Sequence, residues 1–154
     1  MSMEARMYEH LLVPVDDSEL SDKAIDSSIG LAKLLGARVT GFTAEAPLPP
    51  LVLEQVAVAY DPETMQEHRQ RSESHARGVL TRFAERAAAA GVSFDGQFME
   101  TDNIEQAIVD IALRQQCDLI VMATHGRHGL DALINGSLTK GVLAHSKLPL
   151  LVLR

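Results

Sequence analysis

The sequence predicts an α/β fold, an open parallel sheet with helices packed on both of its faces. Short apolar runs alternate along the chain with longer segments in which apolar residues recur every three or four positions. The apolar runs have few polar interruptions, which is typical of strands buried on both sides of a sheet. The 154 residues suit one core, so we expect a single domain over residues 1–154.

The first third of the chain predicts a strand, a helix and a second strand. The run HLLVPV (10–15) is short and continuously apolar, as expected of a buried strand. Asp17 or Ser18 then caps a helix that has one apolar stripe, and Gly36 ends it. Residues 37–46 predict the second strand.

The middle of the chain predicts a second helix and a third strand. Residues 47–63 begin with prolines that indicate a loop, and their apolar letters LVLEQVAVAY allow a flap or a short strand. Asp61 begins the helix because a proline follows it at a first-turn position, and Gly91 ends it. Residues 92–101 alternate loosely between apolar and polar, which predicts a strand.

The last third predicts two further pairs of helix and strand. Asp102 and Glu105 have the spacing of a capping box at the start of a helix. The run DLIVMAT (118–124) is the most strand-like of the chain, and a glycine-containing loop follows it. Residues 137–145 predict the last helix, and PLLVLR (149–154) predicts the closing strand.

Composition and charge exclude several classes of function. The formal net charge is −7, so we expect neither nucleic acid nor an anionic membrane as a partner. No apolar run has the length of about 18 residues that a membrane helix needs. The first residues lack a secretory pattern and a single cysteine excludes an internal disulfide, so we expect a cytoplasmic protein. We interpret that cysteine, Cys117, as a small buried side chain.

The segment MATHGRHGLDALINGSLTKG (122–141) contains the candidate functional loop. A Walker loop requires a lysine directly after its last glycine, and Ser137 follows Gly136 instead. A dinucleotide fingerprint requires glycines after the first strand, and none is present there. Gly126 and Gly136 nevertheless permit a ligand to approach the backbone closely. Ser137 adds a hydroxyl where a helix begins, and helix N-termini favour anions.

The distribution of charge also favours an anion at this loop. Residues 123–147 hold Arg127, Lys140 and Lys147 against Asp131, a net charge of +2. The whole chain carries −7, so the remaining residues carry −9 by difference. A plain connection between strand and helix, with caps and a few basic residues, explains the same pattern, and the residues alone leave both interpretations open.

Asp16 directly follows the first predicted strand. Ligands of open parallel sheets bind beyond the carboxyl ends of the strands, where the strand order reverses. If the first and fourth strands are neighbours, Asp16 faces the glycine loop and can accept a hydrogen bond from a ribose hydroxyl or an adenine amine. Its other interpretation is helix capping, which Asp17 or Ser18 can perform equally well.

The sequence resembles the universal stress protein family over nearly its whole length, from HLLVPVDDSELSDKAI through DLIVMATHGRHGLDALINGSLTKGVLAHSKLPLLVLR. Nucleotide-binding members of that family carry the pattern Gly-x2-Gly-x9-Gly-Ser/Thr. Ala123, Gly126, Gly136 and Ser137 occupy its four positions with matching spacing. The chain departs from the pattern at Ala123, which stands where the family has its first glycine.

The resemblance implies a three-layer, Rossmann-like fold with five parallel strands in the order 3-2-1-4-5. It implies a site for ATP or another adenine nucleotide, with or without Mg²⁺, between the first and fourth strands. It also implies a homodimer that pairs through the last strand. The residues it implies for the nucleotide are Pro14, Val15, Asp16, Ala44, Met122, Ala123, His125, Gly126, Arg127, Gly136, Ser137 and Leu138.

In that implied site, Asp16 and the backbone near Ala44 meet the adenosine, and Ala123 lies by the ribose. If position 123 requires a positive φ, alanine costs about 1–2 kcal/mol there. If it requires only a close approach, the methyl group displaces the ribose outward. Backbone N–H groups and one hydroxyl hold the phosphates, from Gly126, Gly136, Ser137 and Leu138.

These observations predict a dimeric, nucleotide-binding module for stress response or signalling. One alternative is the same fold without a nucleotide, acting as a dimeric interaction module, and Ala123 motivates it. The other is a slow nucleotide hydrolase, in which Asp16, Asp17, His125 and His128 supply a Mg²⁺ ligand or a base. Nothing in the sequence identifies an attacking water, so we expect weak ATP hydrolysis at most, no catalytic residues and no metal site.

Two features of the strand ends complete the prediction. The letters VDDS after the first strand are similar to the acidic pair of response-regulator receivers, but the lysine and final helix of receivers have no counterpart before Arg154. The closing strand PLLVLR, if it lies at a sheet edge, exposes unpaired backbone groups and apolar side chains. Antiparallel pairing with a second copy covers that edge and predicts a C2 dimer.

Overall fold

The structure, a computed structural model, describes residues 7–124 and 136–154. Within these ranges, seven strands are present: β1 His10–Pro14, β2 Arg38–Glu45, β3 Leu51–Leu53, β4 Val56–Val58, β5 Phe94–Glu100, β6 Leu119–Ala123 and β7 Leu150–Leu153. Five of them form the main sheet in the order β5-β2-β1-β6-β7, and every pair in it is parallel. Counted among these five strands alone, the order is 3-2-1-4-5, which confirms the predicted topology.

The helices lie on both faces of this sheet. They are α1 Glu19–Leu35, α2 Pro62–Ala89, α3 Ile104–Arg114 and α4 Gly136–His145. The first two pack against each other, and so do the last two. Right-handed crossovers to the two sides of β1 place these pairs on opposite faces, which confirms the three-layer α/β architecture. Across the described ranges, no helix combines the length and the apolar composition that crossing a bilayer demands.

Capping residues explain where the first two helices begin and end. The Ser18 hydroxyl accepts a hydrogen bond from the Ser21 N–H at 3.2 Å, so Ser18 is the N-cap of α1. Gly36 closes α1 with a φ of 66°, the left-handed conformation that favours glycine. Asp61 caps α2 by accepting from the Thr64 N–H at 2.8 Å. These three predictions are confirmed.

The predicted capping box of the third helix is wrong by one residue. Asn103, not Asp102, is the N-cap of α3, and its Oδ1 accepts a hydrogen bond from the Gln106 N–H at 3.2 Å. Glu105 therefore occupies the second position of the helix and its carboxylate contacts His145 of α4. Asp102 and Asn103 are both residue types that cap helices well. With Asn103 as the cap, the Glu105 side chain contacts α4.

The core lies between the central strands and the helices. Its largest fully buried side chains include Leu11 and Leu12 of β1, Ile120 of β6, Phe42 of β2 and Phe83 of α2. Aliphatic packing on both faces makes β1 and β6 continuously buried along their whole lengths. The buried centre of the sheet thus holds the carboxyl ends of these two strands in a fixed relation.

The segment between β2 and α2 forms a small antiparallel hairpin of β3 and β4. Its turn consists of Glu54 and Gln55, both with positive φ, at 50° and 67°. This pair of left-handed residues is the geometry of a two-residue hairpin turn. The structure therefore resolves the open prediction for residues 47–63 in favour of two short strands.

Candidate functional site

The strand order reverses at β1, which has β2 on one side and β6 on the other. The connection that leaves β1 runs to β2, and the connection that reaches β6 comes from β5, at the far edge. The carboxyl ends of β1 and β6 therefore border the crevice where open α/β sheets bind ligands. This confirms that the first and fourth strands of the main sheet are neighbours, as the Asp16 prediction required.

The strand registers align three predicted site positions. Pro14 lies opposite Phe42, so the same register carried two residues further brings Asp16 level with Ala44. Leu12 lies opposite Ile120, so the register of β1 with β6 brings Asp16 level with Thr124. Three segments far apart in sequence thus meet at one level of the carboxyl edge.

The first turn of α1 holds the carboxylate of Asp16. Its Oδ1 accepts hydrogen bonds from the Ser18 N–H and the Ser21 hydroxyl, both at 2.8 Å. The Asp16 N–H donates in turn to Ser21 Oγ at 2.7 Å. These bonds fix the carboxyl group, which is half-buried, and leave its Oδ2 without a partner among the described residues. A fixed carboxylate with one available oxygen suits a hydroxyl or amine donor.

Asp17 is directed away from Asp16, toward α2. Its Oδ2 lies 3.2 Å from Nε2 of His75, whose Nδ1 lies 2.5 Å from Oε1 of Glu45. The hydrogen bonds from the ring to Glu45 and then to Asp17 raise the pKa of His75 above its usual value. Asp17 thus belongs to a contact between α2 and the strand ends, and Ser18 alone caps α1.

Thr124 is a site residue that the sequence analysis missed. It directly follows β6, its side chain is buried, and its hydroxyl has no hydrogen-bond partner among the described residues. Its N–H is satisfied, because it donates to the Leu153 carbonyl at 2.8 Å. A buried hydroxyl without a partner at a ligand crevice is a donor and acceptor that a ligand can satisfy. The position of Thr124 in the sequence could have indicated this, because it lies between Ala123 at the end of β6 and the glycine loop.

The backbone at Ala123 is compatible with alanine. Ala123 is the last residue of β6, and the described non-glycine residues with positive φ are Glu54, Gln55 and Gln116. Position 123 therefore needs no glycine for conformational reasons, and the strain considered above does not arise. Its methyl group and the Met122 side chain are buried in the core.

The remaining predicted positions divide into three groups. Pro14 ends β1 and Val15 follows it, with its N–H bonded to the Phe42 carbonyl at 2.8 Å. The first turn of α4 contains the predicted phosphate residues Gly136, Ser137 and Leu138. Because α4 connects the parallel strands β6 and β7, this turn starts from the carboxyl side of the sheet. Three other predicted residues lie outside the described residues: His125, Gly126 and Arg127.

The described residues give limited support to metal or thiol chemistry. Within residues 7–124 and 136–154, no group of three or more His, Cys, Asp or Glu side chains is arranged to hold a metal ion. Burial raises the pKa of the Cys117 thiol to about 12, which confirms its interpretation as a buried hydrophobe. The second histidine of the hydrolase hypothesis, His128, lies outside the described residues, as His125 does.

The fold defines an open α/β protein whose strand order reverses between the first and fourth strands of its sheet. The family model described as "Universal stress protein family" matches residues 7–154. The chain therefore belongs to the universal stress protein family, as the resemblance implied.

Relatives of known family agree with this assignment. Universal stress protein A homolog 1 of Coxiella burnetii is 30% identical over 140 residues, which cover 88% of this chain and 89% of that protein. A universal stress protein of Bacillus subtilis is 26% identical over 149 residues, covering 96% of this chain and all of that protein.

Solved structures of the family share the fold. The universal stress protein UspA from Lactobacillus plantarum superposes with a TM-score of 0.75 at 20% identity, covering 98% of this chain and 100% of its own. A universal stress protein solved in complex with cAMP superposes with a TM-score of 0.63 at 21% identity, covering 96% of this chain and 98% of its own. A universal stress protein family protein from Arabidopsis thaliana with AMP bound superposes with a TM-score of 0.65 at 15% identity, covering 94% of this chain and 90% of its own.

Proposed function

We propose that this protein binds an adenine nucleotide in the crevice between β1 and β6. The observation that carries the proposal is the pairing of two polar groups at one level of the sheet edge. The Thr124 hydroxyl is buried without a partner among the described residues, and one oxygen of the fixed Asp16 carboxylate is also available. Family members solved with cAMP and with AMP support an adenine nucleotide as the class of ligand.

The proposed contacts follow the positions of the residues. Asp16 accepts from the ribose or the adenine amine, and the backbone at Val15 and Ala44 lies against the base. The backbone at Met122 and Ala123 lies on the ribose side, and Thr124 donates its hydroxyl hydrogen there. The phosphates lie at the start of α4, where the helix dipole and backbone N–H groups favour an anion. The groups proposed to hold them are those of His125, Gly126, Arg127, Gly136, Ser137 and Leu138.

The identity of the nucleotide is a further part of the proposal. We propose ATP as the physiological ligand, because the glycine spacing of the loop is that of the nucleotide-binding family members. Mg²⁺ would accompany its phosphates as a counterion. Other proteins can recognise the nucleotide-bound form of the protein, and this recognition does not require hydrolysis of the nucleotide.

The test measures binding directly and uses two conservative variants. Protein is denatured and the extract is separated by ion exchange to identify any nucleotide carried through purification. Calorimetric titrations with ATP and AMP, with and without Mg²⁺, then compare the wild type with Asp16→Asn and Thr124→Val. We expect each substitution to weaken binding about tenfold or more. Thr81→Val, on the exposed face of α2, serves as the control and leaves the affinity unchanged.

An empty extract with no heat of binding for either nucleotide would refute the proposal. In that case the interaction module without a nucleotide would be the better description. Equal affinities of the wild type, Asp16→Asn and Thr124→Val for the nucleotide would also contradict the proposal, because the ligand would then lie elsewhere.

We also propose that two copies pair through β7. This strand contacts only β6 within the main sheet, and Leu151 and Val152 are each 39% exposed. An edge strand with exposed apolar side chains is usually covered by another chain. Sedimentation of the wild type should show a dimer, and Val152→Lys should shift it to a monomer. A monomeric wild type at micromolar concentration would refute this pairing.

A further inference from the structure

The hairpin of β3 and β4 exposes large apolar side chains. Val52 and Leu53 are 57% and 56% exposed, and Val56 is 62% exposed. A two-stranded hairpin in water has little stability of its own, and polar side chains normally cover its outer surfaces. Side chains of this kind, grouped on one element, mark surfaces that contact another molecule.

Alternation along the two strands places four of these side chains on one side. Leu51 pairs with Val58, and Leu53 pairs with Val56, so both pairs share a face of the hairpin. Val52 pairs with Ala57 on the opposite face. We call the surface formed by Leu51, Leu53, Val56 and Val58 the hairpin face.

The hairpin face continues into a cavity of about 410 Å³. Leu51 and Val58 line both, and Met65 and the proline-rich segment before β3 close the cavity at its base. The Tyr60 hydroxyl donates a hydrogen bond to the Pro49 carbonyl at 2.8 Å, which ties the two ends of the hairpin together. The surface is therefore a formed groove with apolar walls.

The segment that carries the hairpin is acidic. Residues 46–67 contain no Lys or Arg, and they contain four exposed acidic side chains, Glu54, Asp61, Glu63 and Glu67. None of the four forms an ion pair with any residue in the described part of the chain. Glu100 adds a fifth carboxylate at the cavity wall, where its Oε2 lies 3.9 Å from Nε2 of His68. An apolar centre in a predominantly acidic segment selects an apolar partner that carries positive charge.

We propose that the hairpin face is a docking surface for a basic, apolar segment of a partner protein. The segment would place two or three large apolar side chains against Leu53, Val56 and the cavity, with Lys or Arg residues flanking them. A second copy of this chain fits poorly, because its own acidic rim would face the first one. An anionic membrane is repelled by the same charges. The residues of this docking surface and its cavity are not among those proposed for the nucleotide.

The first experiment uses defined peptides as probes. A synthetic amphipathic peptide of leucine and lysine is titrated into the full-length protein, with fluorescence anisotropy as the readout. We expect saturable binding that weakens as salt is added. A peptide of the same charge with serine in place of leucine, and a leucine–glutamate peptide, should each bind at least about tenfold more weakly.

Matched variants locate the binding. Leu53→Thr combined with Val56→Thr removes apolar surface from the hairpin face, and threonine preserves strand propensity. We expect this pair to weaken the leucine–lysine peptide about tenfold. Val52→Thr, equally exposed on the opposite face, should change the affinity less than twofold. Glu54→Gln combined with Glu63→Gln leaves the apolar face intact and should reduce the salt dependence of binding.

Several results would overturn the proposal. Equal weakening by Val52→Thr and by the hairpin-face pair would show that the peptide binds nonspecifically. Binding of the leucine–glutamate peptide with similar affinity would remove the electrostatic argument. Loss of a dimer on sedimentation of the hairpin-face pair would assign the surface to a second copy. Weaker AMP binding by that pair would make the hairpin a cover for the nucleotide, and retention on neutral phosphatidylcholine vesicles would make it a membrane contact.

Discussion

His75 of α2 bridges Glu45, at the end of β2, and the β1–α1 connection, where Asp17 lies. Its Nδ1 is 2.5 Å from Glu45 Oε1, and its Nε2 is 3.2 Å from Asp17 Oδ2. An imidazole donates from both nitrogens only when it is protonated, so this arrangement favours the charged ring. The hydrogen bond that the ring donates to Glu45, followed by the one to Asp17, raises the pKa of His75 in the folded state.

The raised pKa of His75 predicts a stability contribution that depends on pH. The contribution is fully present below the unfolded pKa of about 6.5 and is lost as pH rises through the higher folded pKa. His75 is half exposed, so we expect His75→Gln to lower the free energy of unfolding by about 0.2–1 kcal/mol at pH 5.5 and less at pH 9. Urea denaturation at both pH values measures this difference.

Glu73→Gln provides the control, because the exposed ion pair of Glu73 with Arg77 contains no histidine. The effect of that substitution should be the same at both pH values. An NMR titration that placed the His75 pKa at or below 6.5 would contradict the interpretation.

Removal of the Thr40 hydroxyl should destabilise the fold. Thr40 is fully buried in β2, and its Oγ1 lies 2.6 Å from Nε2 of the buried His10. Burial, together with the Arg38 guanidinium, lowers the pKa of His10, which favours the neutral ring. Thr40→Val leaves Nε2 without this partner, and we expect a loss of about 1–3 kcal/mol in unfolding free energy by urea denaturation.

A double-mutant cycle separates the hydrogen bond from packing. His10→Leu combined with Thr40→Val removes both polar groups, so the double variant should lose less than the sum of the two single variants. Additive losses would mean that the two side chains do not interact.

Two glycines should respond oppositely to the same substitution. A Cβ on Gly41 of β2 would lie 2.8 Å from two ring carbons of Phe94 and 3.0 Å from Phe83 Cδ2. We therefore expect Gly41→Ala to destabilise the protein by about 1–3 kcal/mol. Gly30 of α1 has nothing within 4 Å of the same position, so Gly30→Ala should stabilise by about 0.5–1 kcal/mol. Chemical denaturation compares the two, and a stabilising Gly41→Ala would show that the two rings move aside freely.

Cys117 should be inert toward thiol reagents in the folded protein. With a pKa of about 12, roughly one thiol in ten thousand is ionised at pH 8, and the side chain is also buried. We expect Ellman's reagent to label the native protein only at the rate of unfolding, and to label the urea-denatured protein fully and quickly. Rapid stoichiometric labelling of native protein would contradict the buried position.

The sheet topology could be predicted because its signals are local. Each buried strand is a continuous apolar run, and the first three helices each have a cap of their own. The hairpin could not be predicted, because β3 and β4 have only three residues each and apolar residues on both faces remove the alternation that indicates a strand. The cap at Asn103 differed from the prediction because Asp102 beside it is an equally competent cap.

The candidate site was only partly accessible from sequence for a different reason. Asp16 was found because it follows a strand, and its place beside β6 follows from the strand order. Thr124 could not be predicted because it lies outside the glycine pattern. Its burial depends on β7, which pairs with β6. The contact of His75 with Glu45 joins residues 30 positions apart, and it depends on how α2 is rotated about its axis.

The shared level of Asp16, Ala44 and Thr124 means that no short fragment of this chain can contain the whole crevice. The pieces that form it come from the beginning and the far end of the polypeptide, so it exists only after the central strands have associated. Any molecule bound there would be released by the same cooperative transition that unfolds the sheet. At a hundred times its dissociation constant such a molecule would add about 2.7 kcal/mol to the unfolding free energy. Occupancy would thus report the integrity of the entire sheet.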